Sequence, residues 1–135
     1  MTHFSKYFQI AKVNEEQQTV WGYASTPTLD SDDEIVDLEA IRKALPEYLE
    51  WGNIREMHKN SAVGVAIEDG THVDDKGLWL GARIVDPTAW LKVKEKVYKG
   101  FSIGGSIVKK VGKHIKELTL VEISLVDRPA NPDAN

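Results

Sequence analysis

Between Gly100 and Ser106 the chain reads Gly-Phe-Ser-Ile-Gly-Gly-Ser. In a strand, alternate side chains share a face. Ser102, Gly104 and Ser106 then look one way, and Phe101, Ile103 and Ile107 the other. One face is apolar and the other is unusually small. Glycine inside a strand often marks the close approach of another backbone or a ligand. A hydroxyl on that open face is well placed to attack the carbonyl of a bound peptide. The alternative is a bulged strand whose small residues lie under a neighbouring loop.

Two further segments carry polar groups that suit this chemistry. The first is Glu56-Met57-His58-Lys59. If its strand is regular, His58 shares a face with Ile54 and Glu56, and the ordinary alternative is a hydrogen-bonded structural histidine. The second runs from Leu118 to Asp127. Alternation puts Leu120, Glu122, Ser124 and Val126 on one face and Val121, Ile123 and Leu125 on the other. Both faces are rich in apolar residues, which predicts a strand buried on both sides. A carboxylate there is costly unless it is paired or hydrogen-bonded. An imidazole would satisfy it, and so would a buried ion pair with lysine or arginine. Together the segments offer a nucleophile (Ser102), a base (His58) and an acid that orients the base (Glu122). Such a set is recognised by geometry and not by chain order. His58 would take the proton of Ser102 during attack, and Glu122 would hold the other ring nitrogen. Backbone N–H groups near Gly104-Gly105, or a guanidinium, would stabilise the oxyanion.

These groups need a frame. Residues 4–13 and 19–25 read as strands, joined by a turn over Asn14 to Gln18. A polar loop follows over residues 25–34. Its acids resemble those of a calcium loop, but the turn glycine and the closing glutamate are missing. Asp37 is placed to cap a helix over about residues 38–50, with Leu38, Ile41, Leu45 and Leu49 as its apolar stripe. Pro46 predicts a kink or a split there. Residues 54–59, 62–68 and 77–85 read as short strands. A second helix starts at the Asp86 cap with Pro87 at its first position, and Gly100 ends it. In it Trp90, Leu91, Val97 and Tyr98 form the buried face, and Glu95 and Lys99 a surface pair. Residues 101–108 and about 114–126 are strands. The order is ββ-α-βββ-α-ββ, an α+β class dominated by antiparallel sheet. Seven short strands in such a length suggest a barrel or a strongly curled sheet.

The bulk numbers agree with one domain. The chain has 135 residues, of which 41% are hydrophobic and 28% charged. That is enough for a real core and excludes disorder as the main state. There are no cysteines. A disulfide framework, a thiolate zinc site, an iron–sulfur cluster and a cysteine nucleophile are all excluded. No apolar run approaches the ~18–20 residues of a membrane span, and no secretory signal is visible. The expectation is a soluble cytoplasmic protein with no metal, no cofactor and no membrane partner. The net charge of −4 divides into −8 over residues 1–90, +7 over 91–116 and −3 over the remainder. A basic island of this kind can contact nucleic acid, with Lys92, Lys96 and Lys99 as the candidate contacts. No aromatic residues interleave with the lysines to stack on bases, so a solvated face is the expected reading.

The segment Phe101-Ser102-Ile103-Gly104-Gly105 and the upstream Met57-His58-Lys59-Asn60-Ser61-Ala62-Val63-Gly64 resemble the prohead (capsid maturation) serine proteases of tailed bacteriophages. So does the closing run from Leu120 through Glu122, Ser124, Asp127 and Arg128 to Pro132, which is the most specific part. The order of histidine, then serine, then this closing strand is that family's pattern. Val20-Trp21-Gly22-Tyr23-Ala24-Ser25 and the acidic segment Asp30 to Asp37 also fit. The likeness covers roughly residues 8–132. Many members have a larger residue where this chain has Gly105.

The resemblance implies a single prohead-protease domain over residues 1–135, with 129–135 as the start of a C-terminal linker. The family resembles the herpesvirus assemblins, which implies an antiparallel β-barrel core with peripheral helices. By the same likeness Ser102 matches the nucleophile and His58 the general base. Assemblins carry a second histidine at the position of Glu122, which makes Glu122 the third member, with Asp127 as the fallback. His72 and His114 lie outside the matching motifs. Assemblins use an arginine after this strand for the oxyanion, which points to Arg128. The implied activity is a serine endopeptidase that cleaves scaffolding protein, or the scaffold-like segment of the capsid protein, during prohead maturation, and that also cuts itself. The implied location is the host cytoplasm, inside the immature capsid, or the cytoplasm for a prophage-encoded copy; a homodimer or higher oligomer is the implied assembly, the dimer by analogy with the assemblins. The alternative is a non-catalytic assembly module of the same fold that binds scaffold.

Overall fold

The computed structural model describes residues 2–29 and 33–128. Residues 129–135, expected to begin a linker, lie outside the described residues, as do 30–32 of the acidic loop. The described chain runs β1 (Thr2–Gln9), β2 (Lys12–Asn14), β3 (Thr19–Ser25), β4 (Ile35–Val36), α1 (Leu38–Trp51), β5 (Asn53–Glu56), β6 (Ala62–Val73), β7 (Leu78–Ile84), α2 (Pro87–Lys94), β8 (Gly100–Val111) and β9 (His114–Val126). The strands form one sheet in the order β1-β8-β9-β5-β6-β7-β3-β2, with β4 paired to β9 beside that path. Pairing is antiparallel except where β4 and β5 run parallel to β9. The Ile10 amide donates to the Lys99 carbonyl at 2.9 Å, and the Ala11 amide to the Trp21 carbonyl at 2.9 Å. These bonds draw the β1 end of the sheet back toward β3, and the whole is a curled half-barrel of the α+β class.

Alternation in the strands fills the curl. Val20, Leu80, Ile84, Phe101, Ile103, Ile123 and Leu125 are fully buried. Each such side chain contributes about 1.5–3 kcal/mol relative to exposure. α1 lies mainly on β9. It buries Ala40, Ile41, Ala44, Leu45 and Tyr48, the stripe expected of a helix on a sheet.

Several local expectations change. The segment read as one strand over residues 4–13 breaks at Ile10 and Ala11, where the backbone bonds elsewhere. With the two-residue β4 this brings the strands to nine among the described residues. Helix α1 passes through Pro46 without a break, the ring standing on the exposed side. Asp37 holds the cap position but makes no side-chain cap. Its carboxylate instead takes Lys116 Nζ at 2.7 Å and His114 Nδ1 at 2.6 Å, and the hydrogen bonds from Lys116 first and then His114 hold it below the usual carboxylate range. Helix α2 starts as its sequence signals predict, with Asp86 accepting from the Ala89 amide at 2.9 Å. It ends at Lys94 and not at Gly100, because Lys96 takes the left-handed conformation (φ 60°) that glycine was expected to supply. Glu95 and Lys99 therefore fall beyond it, and Leu91 and Val97 are exposed.

The charge asymmetry has a structural outlet. Lys110 pairs with Glu34 (3.0 Å), Lys113 with Asp33 (3.1 Å) and Lys116 with Asp37, so the β8–β9 hairpin is answered by the acidic segment before α1. Glu34 also takes Lys6 at 2.8 Å. Among the described residues, no helix is long and apolar enough to cross a membrane.

Candidate active site

The parallel β5–β9 pairing sets Ile54 beside Ile123, Arg55 beside Ser124 and Glu56 beside Leu125. The antiparallel β8–β9 pairing sets Ser102 opposite Ser124 and Gly104 opposite Glu122. Paired residues share a face. Residues far apart in the chain are thereby brought to one side of three adjacent strands, while Ile54, Ile103 and Ile123 point to the core.

The strand expected to carry His58 stops short of it. β5 ends at Glu56, and Met57 (φ 53°) and His58 (φ 57°) are both left-handed. The Lys59 amide closes back on the Glu56 carbonyl at 2.9 Å. Two positive φ values inside such a closure make a type I′ turn, which normally selects Asn-Gly. Met-His in those positions costs about 1–3 kcal/mol per residue. The surroundings impose it: the Met57 amide donates to the Leu125 carbonyl (2.9 Å), the His58 amide to Ser124 Oγ (3.1 Å), and Tyr98 Oη to Glu56 Oε1 (2.6 Å). Burial, then the neighbouring Glu56 carboxylate, pushes the Tyr98 phenol well up, so it remains a donor.

The turn aims the imidazole back over the sheet. His58 Nε2 lies 2.8 Å from Ser102 Oγ, and His58 Nδ1 contacts Glu122 Oε1. Ser102 is 4% exposed and Glu122 6%, whereas the His58 side chain is 34% exposed. Hydroxyl and carboxylate are thus held in the protein, and the ring between them has an open side. The second carboxylate oxygen, Glu122 Oε2, accepts from Ser124 Oγ at 2.7 Å. The buried carboxylate expected from the sequence is met by an imidazole and a hydroxyl, and among the described residues no lysine or arginine pairs with it.

Gly104 shows its reason here. A Cβ on it would stand 2.5 Å from Glu122 Oε1 and 3.5 Å from His58 Nδ1. The close approach inferred from the sequence is made by the carboxylate itself. At Gly105 a Cβ would meet the Thr119 carbonyl oxygen at 2.0 Å, at the bulge where the β8–β9 register shifts. The larger residue common in the resembled family has no room there. Gly104→Ala should displace the end of the flexible Glu122 side chain rather than backbone. The expected result is a folded protein with kcat/KM about 10- to 100-fold lower. Peptide-cleavage kinetics beside a thermal melt would check it, and an unchanged kcat/KM would contradict it.

The other candidates lie elsewhere. Asp127 is exposed beyond β9 and acts on Tyr7 and Tyr98, whose phenols it helps to push up after burial. Glu122, and not Asp127, is at the His58 ring. Arg128 is exposed one residue further on. His72 bonds the Gly70 carbonyl through Nδ1 at 2.8 Å, and His114 bonds Asp37. The expected amides of Gly104 and Gly105 belong to a strand paired on both sides. Strand amides point along the sheet, whereas the Ser102 side chain stands off it. The sequence shows Ser124 as a face-mate of Glu122, and nothing in its residue type marks it further.

No curated protein and no solved structure matches the chain. A family model described as the Caudovirus prohead serine protease matches residues 6–135. With nearly the full sequence inside that match, the chain belongs to the caudovirus prohead serine proteases.

Proposed function

We propose that this protein is a capsid-maturation endopeptidase in which Ser102 is the nucleophile, His58 the general base and Glu122 the acid that orients it. The observation that carries the reading is the continuous contact from Ser102 Oγ (2.8 Å) through the imidazole to Glu122. Ser102 Oγ attacks the scissile carbonyl while its proton passes to Nε2. Glu122 keeps the Nδ1 proton in place and stabilises the imidazolium. The ring then protonates the leaving amine, and water, deprotonated by the same nitrogen, releases the acyl group from Ser102. The developing oxyanion needs donors off the sheet plane, and Arg128, just past β9, is the residue we assign to it.

Family membership supports scaffolding protein, or the scaffold-like part of the capsid protein, as substrate inside the prohead. Self-cleavage belongs to the same proposal. Enclosure in a shell favours such a reaction by raising the local concentration of enzyme and substrate.

A fluorophosphonate probe tests the reading. Wild type should label at Ser102, and His58→Ala should lose the label. Equal labelling of the two proteins, or none of wild type when assembled with scaffold and capsid protein, would overturn it.

A further inference from the structure

Ser124 is fully buried in the middle of the sheet, at 0% exposure. A hydroxyl in such a place is costly unless it is bonded, and strands with both faces covered favour branched apolar residues there. Ser124 uses both of its capacities. It donates to Glu122 Oε2 at 2.7 Å and accepts from the His58 amide at 3.1 Å. The first bond fixes the carboxylate plane, since the other oxygen is on the His58 ring. The second lies at the end of the β5–β9 ladder. That ladder finishes at Glu56 and Leu125, and Met57 makes the last backbone bond across to β9. Beyond that point the Ser124 hydroxyl is what joins His58's own amide to β9.

From these contacts, and resting on the triad reading above, we propose that Ser124 is a positioning residue: its one hydroxyl sets Glu122 and the His58 backbone relative to each other, and so aims the imidazole at Ser102. Among the described residues, few groups face Glu122. His58 comes from the turn, Ser124 from its own strand, and β8 presents Gly104. α1 contributes Tyr48, whose phenol is pushed up by burial first and then by the Glu122 charge, against a smaller opposing effect of Arg55. Ser124 is thus the hydroxyl donor to the carboxylate. Its loss takes this hydroxyl from both Oε2 and the His58 amide at a fully buried position.

The test is the rate of fluorophosphonate labelling of the full chain against probe concentration, for wild type, Ser124→Ala, Ser124→Thr and His58→Ala, with a thermal melt of each. Ser124→Ala should label about 10- to 100-fold more slowly at saturating probe, with little change in the probe concentration at half-saturation. Ser124→Thr, which restores the hydroxyl, should recover most of the rate. A wild-type rate in folded Ser124→Ala, or no recovery in folded Ser124→Thr, would overturn the inference alone. Should that variant not fold, Ser124→Cys, close in volume and a weaker donor, is read by the same criteria. Failure of wild type to label, or labelling that survives His58→Ala, would instead bring down the triad reading and this inference with it.

Discussion

Ser102→Ala should abolish scaffold or capsid-protein cleavage and leave the fold standing. In the proposed mechanism every covalent step runs through Ser102 Oγ, so its removal is not a weakening of one interaction but the loss of the acyl-enzyme route. Nucleophile loss in enzymes with such triads lowers kcat by a factor on the order of 10⁶. The structural cost is small by comparison. Alanine keeps the Cβ on the strand face, and the residues on its other side, Phe101 and Ile103, stay fully buried. The hydroxyl's bond to His58 Nε2 is lost, but that ring has solvent on its open side. One such bond is worth about 1 kcal/mol net, which is a shift of about 3–5 °C in Tm at this chain length. Co-expression with the scaffold and capsid proteins, read by gel, together with a melt of the purified chain, separates the two effects. Full-length scaffold persisting beside a folded variant is the expected result. Processing at the wild-type rate would remove Ser102 from the mechanism.

How much of this arrangement is legible in the sequence depends on range. Side-chain parity is local, and it places Ser102 with Gly104, and Glu122 with Ser124, on shared faces without any knowledge of strand pairing. Asp86-Pro87 is a local capping signal, and it marks the start of α2 correctly. The turn at Met57-His58 is a different matter. A type I′ turn announces itself through Asn-Gly, and here Met-His is held in it by bonds from Leu125, Ser124 and Tyr98, all distant in the chain. Propensity therefore extends the strand to Lys59, two residues past Met57, and assigns His58 a face it does not occupy. The end of α2 fails for a related reason, since Lys96 takes a conformation that composition assigns to Gly100. β6 runs on through Glu68, Asp69 and Gly70, polar residues that read as loop, because β7 pairs with it on both sides of a register shift. Ser124 was visible only as a polar residue two positions from a buried acid. That spacing on a strand covered on both faces is itself a signal: the two side chains share a face and must satisfy each other or a third group.

Glu122→Gln probes that satisfaction directly, and its expected effect is second only to loss of the nucleophile. The amide has the size of the carboxylate, so the close approach to Gly104 is preserved. What changes is the pattern of donors. Glu122 accepts through both oxygens, from the His58 ring on one and from Ser124 on the other. Glutamine can keep only one acceptor. With its oxygen on Ser124, its NH2 faces Nδ1 and forces the proton onto Nε2, where the ring can no longer take one from Ser102. With its oxygen on His58, its NH2 faces a Ser124 hydroxyl whose proton then has no acceptor, and the negative charge that would stabilise the imidazolium is gone in either case. Replacing the acid of a triad by its amide lowers kcat by a factor on the order of 10⁴. The loss should therefore fall well short of that for Ser102→Ala. Steady-state cleavage of a scaffold-derived peptide by both variants, with melts to confirm that each is folded, measures the gap. Wild-type turnover in folded Glu122→Gln would detach the carboxylate from the mechanism and move the third role to Asp127. A loss as deep as that of Ser102→Ala would mean that the neutral amide has also displaced His58, which the Ser124 contact to its backbone is placed to prevent.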